Sequence, residues 1–386
     1  MKTIYLDYGA TSPVRQEALE AMLPYFREQF GNSGSIHDFG QISREAIEHA
    51  RRQVAEAIDA SSPREIIFVG SGTEANNLAL IGAARKHRSK GNHIITSSIE
   101  HPSVLEACRQ LEREGFNVTY LPVDRFGLVR IEDVKKAVTD KTILVSIMAA
   151  NNEVGSIQPI AEIGQLLKGT PILFHTDAVQ YFGKLPLSVD DWGVDMLSLG
   201  SHKIGGPKGI GALYIRKGVR IEPLLYGGGQ ERGLRPSTLN TPAIVGFGAA
   251  AYLAAKEVKA ESERLTRLRD DCWHRIRDEI GEVELNGHPT LRLPNNINLS
   301  FHRVEGQAVL LELSRKKIYV SSGSACSAGK HAPSHVLMAM GKNEETAFQS
   351  LRITFGKETT EADLDLFVNC LKDVMDELRS LLINES

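Results

Sequence analysis

Short apolar segments alternate with amphipathic helical patterns in the first part of the chain, and this alternation limits the possible folds most strongly. Strand-like segments are predicted at 66–69, 93–97, 117–121, 143–148, 171–175, 195–199 and 212–215. Helical patterns lie between several of them, at 73–86, 102–114 and 160–167. Strands that are joined by crossover helices pair in parallel. The sequence therefore predicts an α/β fold with a mainly parallel central sheet flanked by helices.

A long helical pattern separates these strands from a second set. The pattern covers 244–279 and is rich in Ala, Glu, Lys, Arg and Leu. Further strand-like segments follow at 297–301, 318–321 and 351–355, and a final helix is predicted at 361–382. A chain of 386 residues is long enough for two domains. We predict an N-terminal segment at 1–13 that packs with the small domain, a large domain at 14–256 and a small α/β domain at 257–386.

The charge balance favours small-molecule chemistry. The chain has 45 Lys and Arg against 48 Asp and Glu, a net charge of -3, so we expect no nucleic-acid or anionic membrane partner. No apolar run approaches the ~20 residues of a membrane span, and the N-terminus lacks a signal-peptide core. We predict a cytoplasmic protein. Its cysteines form no Cys-x-x-Cys pair, so neither a disulfide framework nor a metal site is predicted.

Two charged residues follow neighbouring predicted strands. Asp177 stands in His-Thr-Asp-Ala-Val-Gln after the segment 171–175, and Lys203 stands in Ser-His-Lys after the segment 195–199. A lysine amine can form a Schiff base with the aldehyde of pyridoxal phosphate, and a carboxylate can keep the ring nitrogen of that cofactor protonated. The pair therefore predicts pyridoxal phosphate as the cofactor.

A glycine turn joins the first of these strands to a helix and suggests a phosphate site. Gly72 and Thr73 open the helical pattern, where backbone amides and the helix dipole can hold a phosphate. The run from Gly70 to Ala75 also fits a permissive dinucleotide fingerprint, so a nicotinamide dehydrogenase is an alternative. That alternative needs an acidic residue roughly 20 positions later, where residues 96–98 are Thr, Ser and Ser. The turn can also be simple strand-to-helix punctuation.

One cysteine stands in a setting unlike the other three. Cys326 lies within 321–330, a stretch of small residues typical of a loop, and Lys330 and His331 nearby favour its thiolate. The stretch is not a nucleotide-binding loop, because no Ser or Thr follows Lys330. The remaining cysteines fall in helical patterns, where a cysteine is typically a small buried apolar residue: Cys108, Cys272 and Cys370.

Taken in order, these and further motifs resemble one family over almost the whole chain. The motifs are Phe30-Gly-Asn32, Gly72-Thr-Glu-Ala-Asn-Asn77, Glu100-His101, Asn151-Asn-Glu-Val-Gly155, His175-Thr-Asp-Ala-Val-Gln180, Ser201-His-Lys203, Gly227-Gly-Gly-Gln-Glu-Arg-Gly-Leu-Arg235 and Ser321-Ser-Gly-Ser-Ala-Cys326. They resemble the pyridoxal-phosphate-dependent cysteine desulfurases of the NifS/IscS type, a branch of the class V aminotransferase superfamily. The resemblance implies fold-type I, in which the large domain binds the cofactor and the small domain carries the Cys326 loop.

The resemblance also implies a role for each matched residue. The implied catalytic residues are Lys203, which carries the cofactor and moves the substrate Cα proton, His101, which stacks on the cofactor ring, and Cys326. The implied cofactor-binding residues are Gly72, Thr73, Asn152, Asp177, Gln180, Ser201, His202, Lys203 and Thr238, the last reaching the cofactor of a neighbouring subunit. The implied substrate-binding residues are Arg352, Asn152 and Asn32.

The implied reaction converts L-cysteine to L-alanine and leaves the sulfur on Cys326 as a persulfide. The resemblance further implies a homodimer and a sulfur-acceptor or iron–sulfur scaffold protein as partner, so that the sulfur supplies iron–sulfur clusters or other thio-cofactors. A selenocysteine lyase or another class V enzyme is the alternative, since it uses Lys203 and Asp177 without requiring the thiol. A catalytically silent sulfur carrier would be expected to lack Lys203 or Asp177, and both are present.

Overall fold

The computed structural model describes residues 2–322 and 332–384. The strands among these residues are β1 (Ile4–Tyr5), β2 (Ile66–Val69), β3 (His93–Ser97), β4 (Asn117–Leu121), β5 (Thr142–Ser146), β6 (Leu173–Asp177), β7 (Met196–Gly200), β8 (Gly211–Ile215), β9 (Val283–Asn286), β10 (Asn296–Phe301), β11 (Ile318–Tyr319) and β12 (Ser350–Thr354). They form sheets of seven, three and two strands.

The α-helices of the described ranges surround these sheets. They are α1 (Gln16–Met22), α2 (Pro24–Arg27), α3 (Asp38–Glu56), α4 (Gly72–His87), α5 (Pro102–Arg113), α6 (Ile131–Ala137), α7 (Ile160–Leu167), α8 (Val189–Trp192), α9 (Thr241–Glu279), α10 (Gly306–Arg315), α11 (His335–Ala339), α12 (Glu344–Phe348) and α13 (Glu361–Asn384). Every strand and helix predicted between 66 and 215 is confirmed, with ends that differ by at most two residues. Within the described residues, none of the helices is long and apolar enough to cross a membrane.

The seven-stranded sheet has the order β2-β8-β7-β6-β5-β3-β4. The five strands β3 to β7 pair in parallel, whereas β8 is antiparallel to both of its neighbours, β7 and β2. Two consecutive strands can pair in parallel only if they are joined by a crossover connection of a dozen or more residues. The link from β7 to β8 contains a 3-10 turn at Ser201–Lys203 and no crossover helix, so the chain returns antiparallel. The predicted α/β architecture with a mainly parallel central sheet is confirmed.

Both faces of this sheet are buried, which explains why its strands read as continuous apolar runs. Side chains alternate between the two faces of a strand. In β2, Phe68 belongs to one core together with α3, α7 and the first part of α9, while Ile67 and Val69 belong to a second core with α4 and α5. Helices therefore cover the sheet on both sides, and its strand ends are left to form sites.

The helix α9 connects the large sheet to a third core. Its first half packs on the large sheet through residues such as Phe247, and its second half packs on the small sheets through residues such as Leu268. The small three-stranded sheet is antiparallel in the order β12-β10-β9. The boundary predicted between 256 and 257 lies inside α9, and the division into 14–256 and 257–386 stays a prediction.

The N-terminal residues run along the small sheets and then reach the large one. The strand β1 pairs in parallel with β11, and Ile4 and Leu6 lie in the core of the small sheets. The chain continues past β12, where Asp7 forms a bridge with Thr354, and Ser12 then donates a hydrogen bond to the carbonyl of His202. This path brings residues 7–12 between the small sheets and the seven-stranded sheet. Whether 1–13 acts as a separate segment stays a prediction.

Candidate active site

A cavity of about 260 Å³ lies at the carboxyl ends of β6 and β7. The carboxyl ends of parallel strands meet at one edge of a sheet, which brings together residues that are far apart in sequence. Most of the residues predicted from the sequence line this cavity: Gly72, Thr73, His101, Asn152, Asp177, Gln180, His202, Lys203 and Arg352. The structure thus gathers the predicted cofactor and substrate residues in one place.

The Asp177 carboxylate is buried at the end of β6 and has two fixed donors. The side-chain amide of Asn76 donates to its Oδ2 over 2.7 Å, and the backbone N–H of Val179 donates to its Oδ1 over 3.0 Å. These two hydrogen bonds hold both carboxylate oxygens in fixed directions. An oriented carboxylate of this kind suits a protonated ring nitrogen.

The Lys203 side chain enters the cavity from the 3-10 turn after β7. Its Nζ donates to the backbone carbonyls of Gly9 and Ala10, over 2.5 Å and 2.7 Å. The Gly9 carbonyl also accepts a hydrogen bond from Nε2 of Gln180, over 2.9 Å. The backbone carbonyl of Gly9 thus accepts hydrogen bonds from both the amine of Lys203 and the amide of Gln180.

The first turn of α4 provides an anion-binding end to the cavity. Ser71 caps the helix, since its Oγ accepts the N–H of Glu74, while Gly72 and Thr73 form the first turn beside the cavity. A Cβ at Gly72 would lie 2.7 Å from the Val179 side chain, so the backbone approaches closely here. Helix N-terminal amides and a threonine hydroxyl suit a phosphate.

His202 also lines the cavity, and its imidazole lies beside Thr11. Nδ1 of His202 and Oγ1 of Thr11 are 3.1 Å apart. Burial, with the nearby charge of Lys203, lowers the pKa of His202 to about 4. The imidazole is therefore neutral at neutral pH and acts as a hydrogen-bonding group rather than a cation.

Ser201 does not line the cavity, unlike its neighbours in the Ser-His-Lys motif. The residue is fully buried, and a Cβ at Gly206 would lie 2.1 Å from its hydroxyl oxygen. The hydroxyl therefore faces Gly206, because the 3-10 turn directs successive side chains to different sides. Ser201 therefore lies outside the cavity wall, and its role as a phosphate ligand stays a prediction.

His101 caps the N-terminus of α5 and is fixed in one tautomer. The backbone N–H of Ser103 donates to Nδ1 of His101 over 3.1 Å, and the Ser103 hydroxyl lies 2.8 Å from the same nitrogen. Nδ1 is therefore an acceptor, and the ring proton resides on Nε2 when the ring is neutral. Burial lowers the pKa of His101, although the charge of Asp177 opposes this shift. A neutral imidazole in the cavity wall can accept or relay a proton.

Asn76 links the two sides of the site and was not assigned a role from the sequence. Its Nδ2 donates to Asp177 Oδ2 over 2.7 Å and to the Ser103 hydroxyl over 2.8 Å, and Ser103 in turn contacts His101. The motif that contains Asn76 had been recognised, but its role depends on α4 and α5 lying side by side. The signal available in the sequence was the spacing from Gly72 to Asn76, which is one turn of a helix.

Arg352 projects from β12 into the same cavity. It is 2% exposed, so it is not a surface ion-pair partner. Its Nη1 donates to the backbone carbonyl of Asn152, and its Nη2 donates to the carboxylate of Asp7, both over 2.9 Å. Its Nε is buried and has no hydrogen-bond partner within the described residues. A guanidinium has five N–H donors, so capacity remains for a substrate carboxylate.

Two buried carboxyl groups lie next to residues that line the cavity. Burial raises the pKa of Glu100, next to His101, to about 8, although Ser97 and the N–H of Met148 donate to its Oε1. Burial also raises the pKa of Glu153, next to Asn152, to about 7, although the Ser334 hydroxyl donates to it. Both groups support the residues that line the cavity without lining it themselves.

Asn32 and Thr238 lie together in a different and larger cavity of about 540 Å³. A buried pair in its wall, between the guanidinium of Arg51 and the carboxylate of Glu231, has two hydrogen bonds of 2.8 Å and 2.7 Å. Within one chain, Asn32 therefore does not line the cavity that contains Arg352, and its role in substrate binding stays a prediction. Thr238 likewise does not reach the cofactor cavity of its own chain.

Cys326 lies outside the described residues, so its role rests on the sequence. The other cysteines are free and lie in helices, as predicted. Cys108 and Cys272 are buried, whereas Cys370 is only partly buried. Burial raises the pKa of Cys272 to about 12, which makes it an unreactive thiol.

The donor set of the cavity fits pyridoxal phosphate. An oriented anion suits the ring nitrogen, a lysine amine suits the aldehyde, and a helix N-terminus suits the phosphate. Asp177, Lys203 and Thr73 supply these groups within a single cavity of suitable size for a small molecule. The geometry of the glycine turn therefore suits a phosphate of this kind, and its role stays a prediction.

Comparison with known proteins agrees with this assignment. A profile of the family described as Aminotransferase class-V matches residues 4–367. The cysteine desulfurase IscS of Dictyoglomus turgidum is 51% identical over 98% of this chain and 96% of its own length. The fold matches the solved structure of a NifS-like protein with a TM-score of 0.92 and 38% identity, covering 98% of this chain and all of the other. A structure described as SspA in complex with cysteine matches with a TM-score of 0.81 and 39% identity, over 92% and 99% of the two chains.

These matches show which class of protein the chain belongs to. The profile covers nearly the whole chain, and the fold is that of a NifS-like protein. The chain therefore belongs to the class V aminotransferases and, within them, to the cysteine desulfurases of the IscS type. The expected family, fold class and enzyme class are confirmed, and the dehydrogenase alternative is wrong.

Proposed function

We propose that the protein converts L-cysteine to L-alanine with pyridoxal phosphate in the described cavity and transfers the sulfur to Cys326. The observation that carries the proposal is that Lys203, Asp177 and Arg352 line one cavity. They supply an amine, an anion and a guanidinium, which together suit an amino acid bound to this cofactor. IscS relatives and the cysteine complex of SspA support cysteine as the substrate.

When bound, pyridoxal phosphate withdraws electrons from the substrate Cα and so makes its proton acidic. Asp177 would hold the ring nitrogen, Thr73, Gly72 and His202 would hold the phosphate, and Gln180 would meet the phenolic oxygen. Asn76 keeps the Asp177 carboxylate oriented through its hydrogen bond to Oδ2. These contacts would fix the reactive face toward Lys203.

Lys203 and His101 are the proposed proton carriers. The amine of Lys203 would hold the aldehyde of the cofactor and would act as a base at the substrate Cα. Nε2 of His101 carries the ring proton, because Nδ1 accepts from Ser103. His101 would stack on the ring and move a proton near the substrate sulfur.

Arg352 would bind the substrate carboxylate with paired hydrogen bonds, assisted by Asn152. Such paired bonds fix direction as well as affinity. They would place the Cα–H bond toward Lys203 and the thiol toward the opening of the cavity. The thiolate of Cys326 would then attack the substrate sulfur, so that the Cβ–S bond breaks and its electron pair stays with the carbon skeleton that becomes alanine.

The residues that flank the loop of Cys326 support this assignment. On one side, Ser321 and Arg352 exchange two backbone hydrogen bonds of 3.0 Å and 2.6 Å. On the other side, Ser334 donates to Glu153, and Nε2 of His335 lies 3.0 Å from the carbonyl of Glu100. Both flanking positions, Ser321 and Ser334, are thus attached to residues next to the cavity.

A homodimer with shared sites is the proposed assembly. An exposed apolar surface on α2 and α3 and the loop between them includes Phe26, Phe30, Ile36 and Phe39, with exposed fractions of 57%, 66%, 97% and 47%. Large exposed apolar surfaces mark interaction sites. Asn32 lies within this loop and shares its cavity with Thr238. In the dimer, Thr238 would reach the partner's cofactor phosphate, and Asn32 would assist the partner's substrate site.

The proposed place of the protein is the cytoplasm, where its sulfur would pass to an acceptor or iron–sulfur scaffold protein. Free cysteines suit a reducing compartment. A persulfide needs an acceptor thiol to complete the cycle. The acceptor would supply iron–sulfur clusters or other thio-cofactors.

Purified protein with pyridoxal phosphate, L-cysteine and a reducing thiol tests the reaction. We expect equal amounts of alanine and sulfide. Cys326→Ala should still bind the cofactor but release no sulfide, whereas Lys203→Ala should lose both alanine and sulfide. Cys370→Ala is the matched control and should behave like the wild type. Alanine formation that survives in Cys326→Ala, or activity restricted to selenocysteine, would contradict the proposal and favour another class V reaction.

A further inference from the structure

Asp7 occupies a position in the site that the proposed reaction does not yet use. Its Oδ1 accepts a hydrogen bond from Nη2 of Arg352 over 2.9 Å, and the two side chains are only 19% and 3% exposed. A guanidinium removed from water needs a partner of opposite charge or enough hydrogen bonds. Within the described residues, Asp7 is the carboxylate in contact with Arg352.

The backbone of Asp7 is itself held in place. Asp7 forms a parallel bridge with Thr354, and the N–H of Thr354 donates to the carbonyl of Leu6 over 2.8 Å. The hydroxyl of Tyr5 donates to the carbonyl of Asp7 over 3.0 Å. The carboxylate therefore extends from a fixed backbone and does not move freely with the N-terminus.

Arg352 is consequently held between two acceptors from different parts of the chain. Asp7 accepts from Nη2, and the carbonyl of Asn152 accepts from Nη1. The backbone of Gly9 also lies against the guanidinium, since a Cβ at Gly9 would lie 3.3 Å from its Cζ. These contacts define the plane of the guanidinium, and Nε has no hydrogen-bond partner among the described residues.

We propose that Asp7 is a positioning residue: it orients Arg352 so that the remaining donors of the guanidinium receive the carboxylate of the substrate. Arginine binds a carboxylate best when its plane is preset for two parallel hydrogen bonds. The inference rests on the proposed function, because it needs a substrate with a carboxylate next to the amine. Asp7 itself does not contact the substrate.

The test compares two amines that differ in the carboxylate. L-Alanine and ethylamine share the amine and the methyl group, and each can be titrated into the cofactor-loaded enzyme while the cofactor absorbance is followed. In Asp7→Ala, the Kd for L-alanine and the KM for L-cysteine should rise about ten-fold, as expected for a lost hydrogen bond between charged groups. The Kd for ethylamine should stay within about two-fold of the wild type.

The controls separate positioning from general damage. Asp190→Ala removes a surface partner of Arg216, bonded over 2.6 Å, and should change none of these values. If Asp7→Ala does not fold, Asp7→Asn carries the test, with an expected rise of about three-fold because a neutral acceptor bonds a cation more weakly. An unchanged or lower Kd for L-alanine in a folded variant overturns the inference, and so does an equal rise for ethylamine. If the wild type makes no alanine from cysteine, the proposed function fails, yet the comparison of the two amines still tests Asp7.

Discussion

At the scale of single residues, the site depends on side chains that orient other side chains. Asn76 donates to Asp177 and to Ser103, and Ser103 determines the tautomer of His101. One amide thus contacts both the Asp177 carboxylate and the Ser103 hydroxyl, and Ser103 in turn contacts the imidazole in the cavity wall. Asp7 has the corresponding role for Arg352 at the substrate end. Such positioning residues carry no reactive group of their own, so motif chemistry alone does not assign them.

We predict that Asn76→Ala weakens cofactor binding by about ten-fold, because a buried carboxylate loses a donor. The measurement is the Kd for pyridoxal phosphate, taken from an absorbance titration of cofactor-free protein. Asn77→Ala is the matched control: Asn77 is the next residue of α4, but its side chain donates to the carbonyls of Thr73 and Ser103 and does not contact Asp177. Equal Kd values for the two variants would contradict the role of Asn76.

At the scale of elements, α9 is the main connection between the two cores. It runs without interruption from Thr241 to Glu279, with Phe247 in the core of the large sheet and Leu268 in that of the small sheets. The site lies where both parts meet: Asp177 and Lys203 come from the large sheet, and Arg352 comes from β12. A rigid connecting helix therefore helps to keep the distance between the cofactor and substrate groups constant.

Lys259→Pro tests this helix at an exposed position between its two buried ends. We expect the free energy of unfolding to fall by about 3 kcal/mol, because proline removes a backbone donor and clashes with the preceding turn. Urea unfolding followed by circular dichroism measures the change. Lys259→Ala removes the same side chain without breaking the helix and should change the stability by less than about 0.5 kcal/mol. A proline variant as stable as the alanine variant would show that the continuity of α9 does not matter.

At the scale of the whole molecule, a single chain leaves two parts of its predicted site unassembled. Thr238 and Asn32 share a cavity that is separate from the one lined by Lys203 and Arg352. Exposed apolar side chains such as Phe30 and Ile36 lie in the same region as Asn32. A second copy of the chain would explain both the exposed surface and the separated residues.

Mixed dimers of Lys203→Ala and Thr238→Ala chains test this assembly. Each variant dimer alone should be impaired, Lys203→Ala completely and Thr238→Ala in part. If Thr238 serves the partner's cofactor, the mixed dimer contains one intact site and should have about half of the wild-type activity, because a two-fold dimer has two equivalent sites. Two different affinity tags allow the mixed dimer to be isolated for the assay. Activity no higher than that of Thr238→Ala would place Thr238 at the site of its own chain.

The sequence by itself determined the alternating strands and helices and the strand-end positions of Asp177 and Lys203, and it predicted the cofactor. These features depend on local periodicity and on residue chemistry, both of which can be read directly from the sequence. It also identified Arg352, which the structure confirms as a residue of the cavity wall. The antiparallel course of β8 was missed, because periodicity does not record strand direction.

Only the tertiary structure decided which groups meet. Asp7 reaches Arg352 across most of the length of the chain, and Asn76 reaches Asp177 because α4 begins at the edge where β6 ends. It also turned Ser201 away from the cavity that its neighbours His202 and Lys203 line. The physical reason is common to all three: the chemistry of a residue is local, whereas the partner it contacts depends on how distant elements pack.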